Sequence, residues 1–366
     1  MEWFALLENE ELLSTPSLLV NPEFVDNNIK RMIEIAGNSN RLRPHIKTIK
    51  SSAIISKLIN YGITKIKCAT IAEAEVAANT GIEDILIAYP LAGGNLFRYV
   101  SLVKNFPHVS FSILTDSLSG ANSINSLSKI ENKNHKVFID IDCGMHRTGI
   151  EVEEVYELFL FLKDCENIDF SGLHVYDGHV HDHSEKLRFS KSEEIVNSIR
   201  RLEKVLLQDQ NSFDIIIGGS PTFPMYASLT SYDLSPGTTV LWDFGYGEAY
   251  PEMGFDIAAV LAGRVVSKPS KNQVCIDLGY KAMASEMNHP RIKFHGINDY
   301  IVKNQSEEHL VIEANECINI EIGHLLYGIP RHICPTVALY DTYSVIENNK
   351  VTTTWPIEGR KRKITY

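Results

Sequence analysis

Short apolar segments alternate with longer amphipathic stretches through the first two thirds of this 366-residue chain, and this alternation constrains the fold most strongly. The stretches "TIAEAEVAANTG" and "EVEEVYELFLFLKDC" carry apolar residues at helical spacing, and Gly81 at the end of the first predicts a helix end. Eight intervening segments are predicted as strands, at 44–49, 65–69, 84–89, 109–114, 136–142, 170–176, 213–219 and 238–243.

Eight strands with intervening helices predict an α/β fold with a closed (β/α)8 TIM barrel, and an open doubly wound sheet is the alternative. The connection from 219 to 238 is short and rich in Pro, Ser and Thr, which leaves little room for a regular helix. After Tyr250 the pattern becomes strand-rich and predicts an antiparallel β domain. The predicted domains are a barrel at 15–248 and a β-rich domain formed by 1–14 and 249–366.

The bulk composition argues against several classes of protein. At 44% hydrophobic and 22% charged residues, the chain has an ordinary globular composition. Its net charge of -11 argues against a nucleic-acid partner, which requires clustered Lys and Arg. Six cysteines without CxxC pairing favour a reducing cytoplasm. We expect no signal peptide, because the acidic N-terminus lacks a basic start followed by an apolar run, and no membrane partner, because no apolar run is long enough to span a membrane.

The carboxyl ends of the strands are where a barrel of this kind carries its functional residues. In the first predicted strand, Arg43, His45, Lys47 and Ile49 share one face by the two-residue period. If this face points inward, Lys47 lies inside the barrel near its rim. Burial favours the neutral form of a lysine, and a neutral amine can form a Schiff base with a carbonyl group. The alternative is a solvated edge, which is the commoner outcome for a run of basic residues.

Two glycine-containing turns follow predicted strands, "GGSPT" at 218–222 and "SPGT" at 235–238. Glycine lets the backbone approach a ligand closely, and backbone N–H groups together with hydroxyls can hold a phosphate. Each motif alone is more often only a turn. Two of them next to strands seven and eight match the usual phosphate position of a barrel, and with a reactive lysine they predict pyridoxal phosphate as the cofactor.

Two further patterns carry histidine. "DGHVHDHS" places His179, His181 and His183 within five residues, which suits proton transfer near neutral pH, although an exposed loop of accidental composition is the alternative. In "HIC", His332 and Cys334 are two positions apart and would face the same way on an extended segment. Imidazole and thiolate suit zinc, whereas an unrelated buried cysteine beside a histidine is the commoner case.

The segments "TPSLLVNPEFVDNNIKRM" and "LRPHIKTIK" resemble the N-terminal part of the D-threonine aldolase and D-serine dehydratase family, whose members are fold-type III pyridoxal phosphate enzymes related to alanine racemase. "CATIAEAEVA", "DCGMHRTGI", "GLHVYDGH", "GGSPTFP", "SPGT" and "GIPRHICPT" follow in the order that this family uses, most similar to its D-threonine aldolase-like branch. The resemblance covers nearly the whole chain. It implies an N-terminal barrel, a C-terminal β domain and a homodimer.

The resemblance also implies roles for individual residues. Lys47 would attach the cofactor, and Arg147 would face its phenolic oxygen. His332 and Cys334 would bind a divalent metal, zinc or manganese. The other predicted cofactor contacts are His45, Tyr176, Gly219, Ser220, Thr222, Gly237 and Thr238.

The predicted base near the substrate hydroxyl is His179, with His181 as the reserve, and this assignment also comes from the resemblance. One position departs from the family pattern. Ile49 stands where the family commonly has histidine, so an apolar side chain replaces a polar one close to Lys47 in the sequence.

The predicted reaction is metal-assisted retro-aldol cleavage of a D-3-hydroxy amino acid, in which D-threonine gives glycine and acetaldehyde. Dehydration of D-serine to pyruvate and ammonia is the alternative, because a His-x-Cys pair also occurs with dehydratase chemistry in this family. A non-catalytic pyridoxal phosphate-binding protein is an alternative from another class, but such small barrel proteins lack the second domain and the metal pair. The expected partner is therefore a small D-amino acid substrate.

Overall fold

Residues 3–4 and 7–366 are described by the structure, which is a computed structural model. They divide into two units. The first comprises Met1–Arg31, Thr48–Ile54 and Thr238–Arg360, and the second comprises Met32–Lys47, Ile55–Gly237 and Lys361–Tyr366. The predicted bounds, with the barrel at 15–248, differ from these units at residues 15–31, 48–54, 238–248 and 361–366, and the predicted bounds stay a prediction.

Ten α-helices occur in the described residues, and none of them has the combined length and hydropathy of a membrane-spanning segment. They are α1 (Pro22–Ala36), α2 (Ser52–Asn60), α3 (Ile71–Asn79), α4 (Gly94–Asn105), α5 (Leu118–Glu131), α6 (Val155–Asp164), α7 (Glu185–Leu206), α8 (Phe223–Leu229), α9 (Phe244–Ala249) and α10 (Ile333–Val337). The strands are β1 (Ser17–Val20), β2 (Lys65–Cys68), β3 (Asp84–Pro90), β4 (Ser110–Thr115), β5 (His135–Ile141), β6 (Ile168–Val175), β7 (Asp214–Ile217), β8 (Asp233–Leu234), β9 (Ala259–Ser270), β10 (Gln273–Ile276), β11 (Ile292–Phe294), β12 (Ile301–Gln305), β13 (Leu310–Glu313), β14 (Leu325–Pro330), β15 (Thr342–Glu347) and β16 (Lys350–Pro356).

The second unit is built on a parallel sheet in which β2 to β8 follow one another in chain order. Segment 42–46 closes this sheet into a barrel. On one side Leu42 forms a parallel bridge with Leu234 of β8, and on the other His45 forms one with Lys67 of β2. The predicted barrel is therefore confirmed, with a short bridging segment in place of a full first strand.

The turn from β2 into α3 shows how local sequence fixes the barrel rim. Thr70 is the N-cap of α3, and its Oγ1 accepts a hydrogen bond from Glu73 N at 3.1 Å. Glu73 reaches back, and its Oε2 accepts from Ala69 N at 2.6 Å. This reciprocal arrangement satisfies two backbone donors at the start of the helix. It fixes the carboxyl end of the strand that carries Lys67.

Two strand predictions are wrong. Residues 46–49 form a turn, because Lys47 N donates back to His45 Nδ1 and not to a neighbouring strand. The segment at 238–243 begins with a 3-10 helix at Thr238–Val240, and the last barrel strand is the two-residue β8. The β-branched residues of segment 238–243 favour a strand in isolation, but the amides of residues 241 and 242 donate back to Thr238 O. The connection from 219 to 238 holds the helix α8, although we predicted little room for a helix there.

Arg43 forms ion pairs at the amino ends of the barrel strands. Its Nη1 and Nη2 donate to the two carboxylate oxygens of Asp84 at 2.7 and 3.0 Å, and its Nε lies 3.4 Å from Asp233. Asp84 and Asp233 begin β3 and β8, and Lys65, which begins β2, also binds Asp233 at 2.6 Å. The side chain of Arg43 is 1% exposed. Arg43 therefore has a structural role at this end of the barrel, and the predicted single face of Arg43, His45, Lys47 and Ile49 stays a prediction.

Replacing Arg43 is expected to destabilise the fold. Arg43→Met leaves Asp84 and Asp233 without their shared buried partner, and removing one member of a buried ion pair typically costs about 3 kcal/mol. Urea unfolding followed by circular dichroism measures this change. Lys65→Met is the control, since Lys65 is more exposed, and its loss is expected to cost about 1 kcal/mol or less. Equal destabilisation by the two substitutions would contradict a special role for the buried guanidinium.

The first unit is organised around a nine-stranded sheet in the order β12-β13-β10-β9-β1-β15-β16, with β14 paired to β9 and β11. Its pairs are antiparallel except for β1 with β15. Strand β1 was not among the predicted strands, although its four residues are all buried. The C-terminal antiparallel β domain is confirmed. Its apolar core includes Leu19, Val260 and Tyr327.

Candidate active site

Three basic side chains surround the ring of Tyr176, the first residue after β6. Lys47 Nζ lies 5.6 Å, Lys67 Nζ 5.5 Å and Arg147 Cζ 5.2 Å from the ring centroid. Lys47 is half-buried, Lys67 is 2% exposed and Arg147 is exposed. An aromatic ring attracts each cation, but three cations at one ring repel one another unless an anion balances them. The surroundings of Tyr176 therefore suit an anionic ligand.

The position of Lys47 depends on the bridging segment that closes the barrel. His45 N donates to Pro236 O at 2.8 Å, and Ile46 N donates to Lys67 O at 2.9 Å. His45 Nδ1 accepts from Lys47 N at 3.2 Å and so caps the turn that follows. Lys47 is thus the first side chain beyond a segment bonded on both sides, and His45 acts on the backbone of this turn.

Two glycines approach the ring of Tyr176 closely. A Cβ atom at Gly219 would lie 3.2 Å from Tyr176 Cε2, and one at Gly178 would lie 2.6 Å from several ring atoms. The loops after β6 and β7 can pack against the ring only because these positions carry no side chain. The prediction that Tyr176 and Gly219 belong to one site is consistent with this packing.

The two glycine-containing turns are joined directly. Gly237 N donates to Ser220 Oγ at 3.0 Å, which links the loop after β8 to the loop after β7. The hydroxyl of Thr222 is fully buried, donates to Asp177 Oδ1 at 3.0 Å and accepts from Gly219 N at 3.2 Å. Ser220 and Gly237 thus lie together as expected for a phosphate cradle. The direct phosphate contact of Thr222 stays a prediction, because its hydroxyl already has protein partners.

Asp177 anchors the loop after β7. In addition to Thr222, it accepts a hydrogen bond from Tyr226 OH at 2.7 Å, and it is 1% exposed. Burial raises the pKa of this carboxyl group, against the opposing effect of its hydrogen bonds. Gly218, with φ of 85°, lies so close to Tyr226 that a Cβ atom would approach its ring to 2.7 Å. Asp177 begins the quoted motif "DGHVHDHS" but was given no role there, and Tyr226 lies outside the quoted motifs.

A buried polar array crosses the barrel interior beside Tyr176. Lys67 Nζ lies 3.1 Å from His174 Nε2, and His174 Nδ1 lies 2.6 Å from Asp140 Oδ1. Thr148 Oγ1 donates to Asp140 Oδ2 at 2.9 Å. Burial is the main reason that the pKa of Lys67 is lowered to about 7, and the charge of the nearby Lys47 acts in the same direction. Sequence reasoning missed this array, although a lysine inside the apolar strand "KIKCA" was a signal that could have revealed it.

The predicted base His179 is half-buried and packs against the loop after β5. A Cβ atom at Gly144, where φ is 121°, would lie 2.8 Å from His179 Nε2. Its Nδ1 is buried and has no hydrogen-bond partner among the described residues. His181 and His183 are exposed and line an open cavity of about 510 Å³ together with His179. Geometry thus supports His179 over His181 as a proton-transfer group, and its catalytic role stays a prediction.

The predicted metal pair lies in the first unit at the start of α10. His332 is extended, but Cys334 is already in the helix, so the basis predicted for the spacing was wrong. Imidazole and thiol nevertheless meet as hydrogen-bond neighbours. His332 Nδ1 lies 2.6 Å from Glu286 Oε1, an arrangement in which a carboxylate orients a metal-binding histidine through its other nitrogen. No group of three or more His, Cys, Asp or Glu residues suited to a metal occurs in the described part of the chain.

Hydroxyl and carboxylate groups support this pair. Cys334 Sγ lies 3.0 Å from Thr48 Oγ1 and 3.2 Å from Thr238 Oγ1. Asp243 Oδ2 accepts from Ile333 N at 3.0 Å, between the two predicted ligands. The sulfur thus lies within hydrogen-bond distance of two hydroxyls, and cysteine binds metals as the thiolate. The donor set therefore fits a metal with two protein ligands and open positions, and the hydroxyl of Thr238 faces this pair.

Two family models match the chain. The model described as the alanine racemase N-terminal domain matches residues 20–226, and the model described as a serine dehydratase domain matches residues 258–346. Among similar proteins, the 3-hydroxy-D-aspartate aldolase of Paracoccus denitrificans (strain Pd 1222) is 24% identical over 96% of this chain and 93% of its own.

Solved structures show the same fold. D-threonine aldolase from Filomicrobium marinum is 21% identical, with a TM-score of 0.84 over 95% of both chains. A second similar structure is D-threo-3-hydroxyaspartate dehydratase, which is also solved from Delftia sp. HT23. Its metal-free form, in which a cysteine is replaced by alanine, is 19% identical to this chain, with a TM-score of 0.83 over 95% of this chain and 98% of its own. A second variant of that dehydratase has alanine in place of a histidine two positions earlier.

Proposed function

This chain belongs to the D-threonine aldolase and D-serine dehydratase family, and from that premise we propose that it is a pyridoxal phosphate-dependent, metal-assisted lyase of D-3-hydroxy amino acids. The relatives that match nearly the whole chain are lyases of D-amino acids, both aldolases and dehydratases. The first candidate reaction is retro-aldol cleavage of D-threonine to glycine and acetaldehyde. Zinc or manganese as the metal, and assembly as a homodimer, are part of the same proposal.

One observation carries the proposal. Lys47 is half-buried within 5.6 Å of the Tyr176 ring, and Lys67 and Arg147 lie at the same ring. This arrangement combines a primary amine with a positively charged surrounding, which suits an anionic aldehyde. The joined turns at Ser220 and Gly237 offer a hydroxyl and backbone groups for its phosphate.

When bound, pyridoxal phosphate supplies an aldehyde that a primary amine can attack and a ring that stabilises negative charge at the substrate Cα. Lys47 would attach it, Ser220 and Gly237 would hold the phosphate, and Arg147 would orient its ring. His179 would take the proton from the substrate hydroxyl, because its imidazole is half-buried with Nδ1 unpartnered. A divalent metal at His332 and Cys334 would polarise an oxygen ligand.

Dehydration is the second candidate, and one observation favours it. The predicted metal pair of this chain is histidine and cysteine two positions apart, and the dehydratase variants described above have alanine at a histidine and a cysteine with the same spacing, the cysteine variant being metal-free. In this reaction a base removes the proton on Cα, and the hydroxyl leaves as hydroxide. The two candidates share Lys47 and the phosphate cradle and differ in the bond that breaks.

Product analysis decides between the two reactions. We expect the purified protein, loaded with cofactor and metal, to release acetaldehyde and glycine from D-threonine. Dehydration of the same substrate would release 2-oxobutyrate and ammonia, and D-serine would then give pyruvate. L-threonine is the matched control and should remain unchanged. Oxoacid without aldehyde would replace the first candidate by the second, and no turnover of any D-3-hydroxy amino acid would contradict the lyase proposal.

A further inference from the structure

We propose that Lys67 couples cofactor binding to the uptake of a proton, so that an anionic cofactor at Tyr176 is held most tightly when the Lys67 amine is charged. The inference rests on the proposed function, because it takes Lys47 as the attachment point of that cofactor. It concerns affinity for the cofactor, and Lys67 is given no part in bond breaking.

The hydrogen bonds of the array define its proton arrangement. Asp140 accepts hydrogen bonds from His174 Nδ1 and from Thr148 Oγ1. Burial alone would raise the pKa of Asp140, but these contacts and the charge of Lys67 outweigh burial and lower it. Burial and the charge of Lys67 lower the pKa of His174. A neutral His174 that donates its Nδ1 proton to Asp140 carries its lone pair on Nε2. Lys67 therefore donates to Nε2, and its hydrogen-bond partner is a neutral ring.

The charges that face Lys67 come from every element around it. The bridging segment contributes Arg43, and Lys47 follows it directly. Strand β5 contributes Asp140, β6 contributes His174, and the loops after β6 and β5 contribute Asp177 and Arg147. Both carboxylates already have other partners, since Asp140 is bonded by His174 and Thr148, and Asp177 by Thr222 and Tyr226. No carboxylate lies within ion-pair distance of Lys67 in the described residues.

A charged Lys67 is therefore poorly compensated in the free protein. It is 2% exposed, its hydrogen-bond partner is neutral, and Lys47 and Arg43 repel it. A phosphate or phenolate near Tyr176 would supply the missing negative charge and raise the affinity of Lys67 for a proton. By linkage, the proton then raises the affinity for the anion by the same factor. A purely structural lysine would affect folding without making affinity depend on pH in this way.

The test uses pyridoxine 5′-phosphate, whose alcohol group cannot attach to a lysine. Titration calorimetry in two phosphate-free buffers with different ionisation enthalpies measures the number of protons taken up on binding. At pH 8 we expect the wild-type protein to take up about 0.5–0.9 proton more than Lys67→Met. Between pH 7 and 9, the wild-type affinity should fall about tenfold relative to that of Lys67→Met, a comparison in which the titration of the probe itself cancels.

Two further variants sharpen the result. Lys136→Met removes the same charge from an exposed position on β5, where Nζ binds Ser110 Oγ at 3.0 Å, and it should retain the wild-type proton uptake. Lys67→Arg keeps the charge at all these pH values, so it should bind tightly at pH 9 without taking up the proton.

The outcomes separate this inference from the proposed function. Equal proton uptake by wild-type and Lys67→Met protein overturns the inference and leaves the function intact, and so does a wild-type protein that binds the probe without proton uptake. Failure of the wild-type protein to bind either the probe or pyridoxal phosphate overturns both. If Lys67→Met does not fold, the wild-type uptake and the Lys67→Arg affinity at pH 9 still decide the question.

Discussion

Lys47→Ala abolishes both covalent attachment of pyridoxal phosphate and turnover: this is the largest effect that we expect from a single substitution. Lys47 is the amine at the ring of Tyr176 that lies beyond the bridging segment, and Ala has no group that can attack an aldehyde. The wild-type protein with cofactor should absorb near ~420 nm, as an aldehyde bound to lysine does, and the variant should not. Turnover of D-threonine should fall at least about a thousandfold.

Controls for this experiment separate charge from covalency. Lys47→Arg keeps a cation over the ring but cannot attach the aldehyde, so it should also lose the absorption band. Lys136→Ala removes an exposed lysine of the same barrel and should keep both absorption and turnover. Borohydride reduction followed by peptide mass analysis should place the cofactor on Lys47. Retained turnover in the Lys47→Ala variant would contradict the proposed function.

The second large effect is expected at the metal pair. Cys334→Ala removes the sulfur that lies beside Thr48 and Thr238, and it leaves His332 as the one predicted protein ligand. A site with so few ligands cannot lose one and retain a metal. We expect the bound metal, measured by elemental analysis, to disappear and turnover to fall at least about a hundredfold. EDTA treatment of the wild-type protein should have the same effect, and added metal should reverse it.

Matched variants test this assignment. Cys317→Ala removes a buried cysteine of the same unit that has no predicted metal role, and metal content should not change. Glu286→Gln leaves both predicted ligands in place but weakens the hydrogen bond between residue 286 and His332 Nδ1. The metal affinity should therefore fall about 10- to 100-fold. Full turnover after complete metal removal would exclude the metal from the reaction, whichever bond breaks.

The pattern of apolar segments predicted the barrel because most of its strands are ordinary runs of buried residues. It failed at 44–49 and 238–243, where backbone contacts override local preference. Lys47 N donates back to His45 Nδ1, and the amides of residues 241 and 242 donate back to Thr238 O. Neither effect depends on hydrophobic periodicity, so neither could be predicted from it.

For the candidate site, the sequence identified residues that lie in recognisable motifs. Lys47, Ser220 and His332 belong to such motifs, and the resemblance assigned roles that stay predictions. It did not reveal Lys67, His174 and Asp140 as an array, because these residues come from three strands and meet only after the barrel closes. The carboxylate that binds Ile333 N is also distant in the sequence, at Asp243. Groups that support ligands through long-range contacts carry no local signal.

The seam of the barrel, where segment 42–46 meets β8 on one side and β2 on the other, is held by few backbone hydrogen bonds. Segment 42–46 is joined to its neighbours by four backbone hydrogen bonds, with Leu234, Pro236 and Lys67 as partners, whereas β5 and β6 pair over seven positions. Amide exchange should therefore begin along this seam before it reaches the rest of the sheet. Under the proposed function Lys47 must alternate between a cofactor-bound and a free state, and it directly follows this weakly bonded segment.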